Sequence, residues 1–276
     1  MTTIAAIQME STPDVQDNVE MACQLIKQAA YQGASLAALP ENFATLGLSR
    51  EQSFAMAEPF NDGKIQKQLA SCAKENKIWL LGGTLPLLGA TGNKFFSSCL
   101  MWNDNGELVA RYNKIHMFDV MVGKEDVYRE SDNVQPGNEI VLVDTPFGKI
   151  GLAVCYDLRF PELFRAFMLK GVDIIVLPSA FTIPTGKAHW EVLLRARAIE
   201  NLCYVVAPAE VGRRHDGRGT YGHSMIVGPW GDILAKVDEG NAVVMAEVDL
   251  VNMQRIRQEF PSLSHSQPFV MKELTL

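Results

Sequence analysis

The stretch KIGLAVCYDLRFPEL, from Lys149 to Leu163, carries an apolar segment into a cysteine and then into a proline. The apolar run before Cys155 is typical of a buried strand, and Pro161 suits the first turn of a helix. A strand that ends in a nucleophilic side chain and turns sharply into a helix follows the logic of a nucleophile elbow, which exposes the reactive atom at the end of a sheet. This stretch therefore predicts a helix-covered sheet with a cysteine sulfur at its edge, near a helix N-terminus that favours negative charge.

The rest of the chain repeats the alternation of apolar strands and amphipathic helices. Apolar residues at helical spacing predict a helix over residues 15–32, and HWEVLLRARAIENL predicts another over residues 189–202. The NDNG turn at Asn103–Gly106 predicts a hairpin, whereas residues 114–138 are predicted to form a long polar loop. Strands that are apolar on both faces, such as DIIVLP, are expected where helices cover a sheet. The pattern predicts an α/β fold, with one mixed sheet or two sheets between helices.

Composition and charge exclude several functional classes. The 276 residues carry a formal net charge of −7, so no nucleic-acid partner is expected, and the basic segment Gly212–Arg218 reads as a solvated loop. The longest apolar run, Ile78–Ala90, is too short for a bilayer and is broken by glycine and proline, so no membrane association is expected. The N-terminal residues lack a secretory pattern, and the five cysteines lack zinc-ligand spacing, so we expect a cytoplasmic protein with reduced thiols and no metal site. Since no linker or repeat divides the chain, we predict one domain over residues 1–257 and a tail over residues 258–276.

Three chemically distinct side chains each follow a predicted strand. Glu41 comes after SLAALP, Lys114 after ELVARYN and Cys155 after KIGLAV. In sheet-based enzymes the active site collects at strand ends, where loops meet over a rigid scaffold. A thiol is mostly protonated at neutral pH, so a carboxylate can serve as its base and an ammonium can stabilise the thiolate and a later oxyanion. These residues are therefore a candidate catalytic set, with the backbone N–H of Tyr156 as a second oxyanion donor.

The residues alone leave other interpretations open. A cysteine flanked by apolar residues is more often part of the core than a nucleophile. A glutamate or a lysine after a strand is commonly solvated, and sequence spacing does not link the three. His116, two residues beyond Lys114, offers a rival Cys–His pair.

Three sequence blocks carry a resemblance to a known family. LPENF around Glu41, YNKIHMFD around Lys114 and CYDLRFPE around Cys155 resemble, in this order, the signature blocks of the nitrilase superfamily of carbon–nitrogen hydrolases. The resemblance covers nearly the whole chain, from TIAAIQM to AEVDL. It implies an α/β fold built as a four-layer α-β-β-α sandwich, a Glu–Lys–Cys triad, and neither a metal ion nor an organic cofactor.

The same resemblance implies a role for each matched residue. Glu41 is expected to act as the base, Lys114 to stabilise the oxyanion, and Cys155 to attack an amide carbonyl and form a thioester that water hydrolyses. Glu130, in YRES, matches a second glutamate of the family and is assigned to positioning Lys114 and the substrate; a solvated loop acid is the alternative. His116 would then be a neighbour of the lysine rather than a base.

Further segments resemble the Nit branch of the superfamily, among them PSAF, EVLLRARAIE, CYVVAPAEVG and TYGHSMIVGPWGDIL. That branch includes amidases of deaminated glutathione and ω-amidases of α-ketoglutaramate. The residues of these segments favour the amidases of deaminated glutathione. Both substrates join an amide to an α-keto acid. The alternatives that remain are an ω-amidase or an amidase of another short amide, a Cys–His enzyme that uses His116, and a small-molecule binding or scaffold protein without turnover.

The substrate pocket needs a cation or backbone N–H groups to bind an α-keto carboxylate. Arg159, four residues after Cys155, is the predicted cation, with pairing to Asp157 or Glu162 as the alternative. Arg213 and Arg214 are further candidates in a Gly-rich loop. The residues predicted to line the pocket are Tyr156, Arg159, Phe181 and Thr182, where Tyr156 has core packing as its alternative.

The resemblance also implies self-association. Members of the family usually pair as dimers through the helices that follow the nucleophile and precede CYVV, with the C-terminal tail crossing over. The tail RQEFPSLSHSQPF has two prolines and no regular apolar period, which fits such a crossing; disorder is the alternative. We therefore expect a homodimer or a higher homo-oligomer. On the helix before CYVV, Arg195, Arg197 and Glu200 are expected to make a structural ion pair.

Overall fold

The structure, a computed structural model, describes residues 1–89, 92–123, 126–213 and 217–272. The α-helices of this part are α1 (Val15–Tyr31), α2 (Arg50–Ala55), α3 (Lys64–Asn76), α4 (Pro161–Leu169), α5 (Ile183–Asn201) and α6 (Leu250–Glu259). The strands are β1 (Thr2–Gln8), β2 (Leu36–Ala38), β3 (Trp79–Leu81), β4 (Leu85–Leu88), β5 (Phe95–Trp102), β6 (Leu108–Asn113), β7 (Asp119–Val122), β8 (Asp126–Arg129), β9 (Leu142–Thr145), β10 (Gly148–Leu152), β11 (Ile174–Val176), β12 (Tyr204–Ala207), β13 (Val211–Arg213), β14 (Gly219–Tyr221), β15 (Met225–Val227), β16 (Ile233–Lys236) and β17 (Ala242–Val248). Short 3-10 helices lie at Glu130–Asp132, Cys155–Arg159 and Ser262–His265.

Two mixed sheets form the centre of the molecule. The first has the order β17-β1-β2-β3-β5-β4, with β6 paired to β5, and the second has the order β16-β15-β12-β11-β10-β9. Each contains three adjacent parallel strands, β1 to β3 in the first sheet and β10 to β12 in the second. Met9, just after β1, and Glu210, beyond β12, form a parallel bridge. The carboxyl ends of the parallel strands of both sheets therefore meet at one edge.

Alternate residues of β1 face two different cores. Ala5 and Ile7 pack with side chains of α1 and α3, whereas Ile4 packs in the core that contains the second sheet. Helices α4 and α5 cover the second sheet through buried residues such as Phe164 and Trp190. The layers therefore run helix, sheet, sheet, helix, which confirms the predicted α-β-β-α sandwich.

Helix α1 shows how local sequence positions these layers. The Asp14 side chain caps its first turn by accepting hydrogen bonds from the N–H groups of Gln16 and Asp17. Its buried face repeats at helical spacing, and Gly33, with φ +93°, follows its end in the left-handed region that suits glycine. The helix predicted over residues 15–32 is thus confirmed, as is the hairpin at Asn103–Gly106, which joins β5 and β6.

Two segments differ from the sequence prediction. The predicted loop at residues 114–138 contains the hairpin β7–β8 and a 3-10 turn, because β7 and β8 satisfy each other's backbone groups without a buried apolar face. Helix α5 begins at Ile183 rather than at residue 189, because the hydroxyl of Thr182 caps it and Pro184 fits its first turn.

The C-terminal part leaves the sandwich after α6. Beyond the 3-10 turn at Ser262–His265, residues 266–272 have no regular structure, and the apolar side chains of Phe269 and Val270 are exposed. The last four residues of the predicted tail lie outside the described residues. No helix in the described ranges has the length and apolar character required to cross a membrane.

Candidate active site

The strand ends bring the predicted catalytic residues together. The Nζ atom of Lys114 lies 2.8 Å from Glu41 Oε1 and 2.8 Å and 2.9 Å from the two carboxylate oxygens of Glu130. The Glu41 side chain and the backbone N–H of Ala180 both act on the Cys155 thiol, and all three residues line the same cavity. Glu41, Lys114 and Cys155 are buried. An ammonium, two carboxylates and a thiol therefore share one enclosed site.

The segment after β2 presents Glu41 in a tightly held turn. Asn42, the next residue, has φ +56°, and its N–H donates to Thr84 Oγ1 at 2.9 Å. Gly83 has φ +59°, and a Cβ atom built on it would overlap the carbonyl oxygen of Pro40. The absence of a side chain at Gly83 is therefore what allows the turn before Glu41 to approach β3.

The hairpin β7–β8 returns the chain so that Glu130 faces Lys114. The backbone N–H of Phe118 donates to Glu130 Oε2 at 2.6 Å, which fixes the carboxylate from the neighbouring strand at the open end of the hairpin. Lys114 is itself held by its N–H, which donates to the carbonyl oxygen of Ser97 at 3.0 Å. Glu130 is thus a partly buried ion-pair partner of Lys114, with 18% of its side chain exposed, and the alternative of a solvated loop acid is wrong.

Cys155 occupies a strained turn three residues beyond the end of β10. Its φ is +46°, a left-handed conformation that costs a non-glycine residue about 1–2 kcal/mol. The backbone N–H of Cys155 donates to the carbonyl oxygen of Pro178 at 2.9 Å, which ties the turn to the segment after β11. The backbone N–H of Tyr156, the predicted oxyanion donor, has no acceptor within the described part of the chain. The turn thus has the sharp geometry expected of a nucleophile elbow.

A single buried carboxylate, Asp157, clamps this turn to the end of β6. Its Oδ2 accepts hydrogen bonds from Tyr112 Oη at 2.6 Å and from the N–H of Val154 at 2.8 Å. Its Oδ1 accepts one from the N–H of His116 at 3.1 Å and lies 2.7 Å from His116 Nδ1. Because Tyr112 and His116 flank Lys114 in sequence, Asp157 fixes the lysine strand and the cysteine turn relative to each other. No sequence signal marks this residue beyond its place in the CYDLRFPE block.

His116 is held by Phe160 and Asp157 and does not line the cavity. Its ring stacks on Phe160 with a centroid separation of 3.6 Å, and its Nδ1 is directed to Asp157. The structure therefore does not bring His116 and Cys155 together, and it places the histidine as a neighbour of the lysine block.

Burial and charge set the resting protonation of the site. Burial alone would lower the pKa of Lys114, but the carboxylates of Glu130 and Glu41 raise it well above its usual value. Burial and then the Glu41 carboxylate raise the pKa of Cys155 well above its usual value, although the Lys114 ammonium opposes them. The resting site therefore holds an ammonium and a neutral thiol, and the thiol proton needs a nearby acceptor before the sulfur can attack.

A cavity of about 280 Å³ opens onto these groups. All four predicted pocket residues, Tyr156, Arg159, Phe181 and Thr182, line it together with Glu41, Lys114, Glu130 and Cys155. Its size suits a small molecule. Thr182 also has a structural role, because its side chain caps the N-terminus of α5.

Arg159 lies on the cavity wall between two aromatic rings. Its Cζ is 5.7 Å from the ring centroid of Tyr156 and 5.4 Å from that of Phe181, and its Nη1 is 3.2 Å from His189 Nδ1. Among the described residues it pairs with neither of the two neighbouring acids, so the alternative of a turn-locking ion pair is wrong. The Arg159 guanidinium is therefore held by two aromatic rings and a histidine, and it lines the cavity.

The sequence reasoning missed a second arginine of the cavity, Arg218. Its Cζ lies 4.7 Å from the ring centroid of Tyr128, and its Nε lies 3.6 Å from Asp126 Oδ1. The interpretation of Gly212–Arg218 as only a solvated loop is therefore wrong at its last residue. Arg213 is exposed at the end of β13 and does not line the cavity, and Arg214 lies outside the described residues.

The predicted structural ion pair on α5 is confirmed for Arg197 and Glu200, whereas Arg195 lies 3.8 Å from Glu191 Oε1 instead. Arg197 Nη1 lies 2.8 Å from Glu200 Oε1, and its Nε and Nη2 donate to the carbonyl oxygen of Leu158 at 3.1 Å and 2.8 Å. Arg197 thus braces the cysteine turn from outside the cavity. Across the described ranges, no group of three or more His, Cys, Asp or Glu side chains is arranged to hold a metal ion.

Comparisons with known proteins agree with this architecture. The sequence model of the carbon–nitrogen hydrolase family matches residues 3–258. The deaminated glutathione amidase of Bos taurus is 42% identical over 269 residues, which cover 96% of this chain and 82% of that protein. The enzyme of the same name from Synechocystis sp. is 42% identical over 267 residues, covering 95% and 96%. Nit3 of Saccharomyces cerevisiae, a member of branch 10 of the nitrilase superfamily, superposes with a TM-score of 0.84 at 32% identity over 94% of each chain. The chain belongs to the carbon–nitrogen hydrolase family.

Proposed function

We propose that this chain is a cysteine amidohydrolase that cleaves deaminated glutathione through a thioester intermediate. The observation that carries the proposal is the single cavity lined by Glu41, Lys114, Glu130 and Cys155, in which Lys114 bridges the two glutamates. The names of relatives that are 40–42% identical over nearly the whole chain support the substrate.

The first half of the proposed reaction forms the thioester. Glu41 takes the proton from Cys155 Sγ, and the sulfur attacks the amide carbonyl carbon. The resulting oxyanion is stabilised by the Lys114 ammonium and by the N–H of Tyr156. The carbon–nitrogen bond then breaks, Glu41 returns the proton to the departing amine, and the acyl group stays on sulfur.

The second half releases the acid. A water molecule loses a proton to Glu41 and attacks the thioester carbon, with the same two donors on the oxyanion. The carbon–sulfur bond breaks, and Cys155 recovers its proton from Glu41. Glu130 takes no proton in this scheme; it holds Lys114 in place and balances its charge, as its 2.8 Å and 2.9 Å contacts to Nζ indicate.

We assign Arg159 to the α-keto carboxylate of the substrate, because a guanidinium on the cavity wall can bind a carboxylate through two N–H groups. A charge-assisted hydrogen bond contributes about 1.5–3 kcal/mol, so Arg159→Gln should lower kcat/KM by about 10- to 100-fold on α-keto acid amides. On a neutral short amide, the kcat/KM of the same variant should stay close to that of the parent. Arg255→Gln, which alters an exposed arginine of α6, is the control. An equal loss on both kinds of amide would contradict the assignment.

An ω-amidase acting on α-ketoglutaramate is the second candidate. The cavity of about 280 Å³ favours it, because α-ketoglutaramate lacks the dipeptide that deaminated glutathione carries beyond the amide. Comparing kcat/KM on the two amides decides between them, with Cys155→Ala as the control. A preference for deaminated glutathione supports the proposal, and a preference for α-ketoglutaramate replaces it. Labelling of Cys155 without release of either product would favour a binding or scaffold protein.

We also propose a cytoplasmic homodimer built through α4 and α5. All five cysteines are free, which fits a reducing compartment. Leu169, Val192 and Ile199 on these helices are exposed apolar residues, as are Phe269 and Val270 of the tail. Sedimentation of the full chain should give a dimer, and truncation after residue 257 should weaken it. A monomer at micromolar concentration would contradict the proposal.

A further inference from the structure

Glu210 is a buried carboxyl group that the proposed reaction does not use. It lies three residues beyond β12 with 0% of its surface exposed. Its N–H donates to the carbonyl oxygen of Ser179 at 2.9 Å, and Ser179 precedes Ala180, whose N–H contacts the Cys155 sulfur. Glu210 therefore stands directly behind the reactive site, where the ends of the two sheets meet.

The side chain of Glu210 is joined to the Glu41 segment through Ser11. Ser11 Oγ lies 2.6 Å from the carbonyl oxygen of Phe43 and 2.9 Å from Glu210 Oε1, and the N–H of Ser11 donates to Glu210 Oε2 at 3.3 Å. Phe43 is only two residues beyond Glu41. A serine hydroxyl carries one hydrogen, and the Phe43 carbonyl oxygen can only accept. If Ser11 donates to Phe43, the contact of 2.9 Å needs a hydrogen on Glu210 Oε1.

The charges around Glu210 favour that hydrogen. Burial raises the pKa of Glu210 well above its usual value; the bonds from Ser11 oppose this, and the carboxylates of Glu41 and Glu10 raise it further. The two charged groups with the largest effect on Glu210 are thus both negative, and within the described ranges no lysine, arginine or histidine forms an ion pair with it. An ionised Glu210 would be a buried charge without a cation, close to the base of the reaction.

We propose that Glu210 is a positioning residue that stays protonated at neutral pH and, through Ser11, holds the backbone segment that presents Glu41 to Cys155. The proposal rests on the proposed function in taking Glu41 as the base. Ionised Glu210 would instead accept the only hydrogen of Ser11, release the Phe43 carbonyl and repel Glu41. The neutral form gives one continuous chain of donors, from Glu210 to Ser11 to Phe43.

Kinetics of three variants test the positioning role. Glu210→Gln places an N–H where the carboxyl hydrogen lies, so kcat should stay within about threefold of the parent, and the acidic limb of the pH profile should not move. Glu210→Ala and Ser11→Ala break the chain of donors and should each lower kcat by at least ~10-fold with KM changed much less. A Glu210→Gln variant as slow as Glu210→Ala would overturn the proposal. So would an acidic limb displaced to lower pH in Glu210→Gln, because it would show that the parent carries a negative charge there.

Infrared difference spectroscopy tests the hydrogen directly and does not depend on turnover. The spectrum of the parent minus that of Glu210→Gln at pH 7 should show the carbonyl stretch of a protonated carboxyl group. Glu10→Gln, which changes the exposed neighbouring acid, should leave that band in place. A carboxylate band in the difference spectrum instead would refute the proposal, even if Glu210→Ala failed to fold. The band is measured without substrate. A failed amidase assay would therefore leave the Glu210 proposal standing, and a missing band would leave the proposed function standing.

Discussion

The Asp157→Asn substitution is expected to loosen the cysteine turn while changing few atoms. The parent carboxylate is 0% exposed and lies within 3.1 Å of four polar groups, two on each oxygen. An asparagine keeps one oxygen and replaces the other with an NH₂ group. Whichever way the amide points, one of two backbone N–H groups, that of Val154 or that of His116, then faces a donor.

The magnitude follows from that mismatch. An orphaned buried N–H costs about 1–3 kcal/mol, and the loss of charge-assisted bonds brings the expected destabilisation to about 2–4 kcal/mol. For a chain of this size each kcal/mol lowers Tm by about 2–4 °C, so Tm should fall by roughly 4–16 °C. The released turn also has φ +46° at Cys155, so the sulfur should move out of line and kcat should fall by about 10- to 100-fold.

Calorimetry and steady-state kinetics on the same samples measure both effects. Asp144→Asn is the matched control, because the Asp144 side chain is 88% exposed and its pair with Lys149 is 3.6 Å long. This control should leave Tm and kcat close to the parent values. If Asp157→Asn melted within 1 °C of the parent (roughly the error expected for a surface substitution) and kept its kcat, the clamp described for Asp157 would be refuted.

Two further predictions concern the triad, one on the turn before Glu41 and one on the titration of Cys155. Gly83→Ala should lower kcat by about 10- to 100-fold, because its Cβ would overlap the backbone oxygen of Pro40, just before Glu41. Gly33→Ala is the control: Gly33 also has a positive φ but has open space around it, so this variant should lower only Tm. Equal kcat values for the two variants would contradict the role given to Gly83. The pKa of Cys155, read from thiolate absorbance against Cys155→Ala, is raised by burial and then by Glu41, so Glu41→Gln should shift the titration to lower pH. Lys114→Met should shift it to higher pH, since the ammonium opposes the rise, and shifts of the opposite sign would contradict the electrostatics described.

Much of the architecture can be predicted from the periodicity of apolar residues and from the residues at the strand ends. The apolar spacing of α1 and the turn residues between β5 and β6 are local signals, and both elements form where they are expected. The convergence of Glu41 and Lys114 with Cys155 is expected from the resemblance of the three sequence blocks, and their places after strands are compatible with it. Their contacts of a few ångströms require the fold itself.

Other features have no local signal. The hairpin β7–β8 lacks a buried apolar face, so its alternation is too weak to distinguish it from a loop. Asp157 takes two of its partners, Tyr112 in β6 and His116 just beyond it, from residues 45 and 41 positions earlier in the chain, and such long-range pairing leaves no mark in sequence spacing. Arg159 has two acidic neighbours in sequence, but in the described part of the chain its guanidinium forms no ion pair with them and instead contacts the rings of Tyr156 and Phe181 and the imidazole of His189.

The most direct test of the thioester mechanism is intact-mass and peptide-mass spectrometry after rapid acid quench with deaminated glutathione. An acyl group is expected on the peptide that contains Cys155, together with early release of the dipeptide amine in an amount equal to that of the enzyme. Cys155→Ala should show neither the adduct nor the product. Product release that survives in Cys155→Ala, or an acyl group on any other residue, would contradict the thioester mechanism.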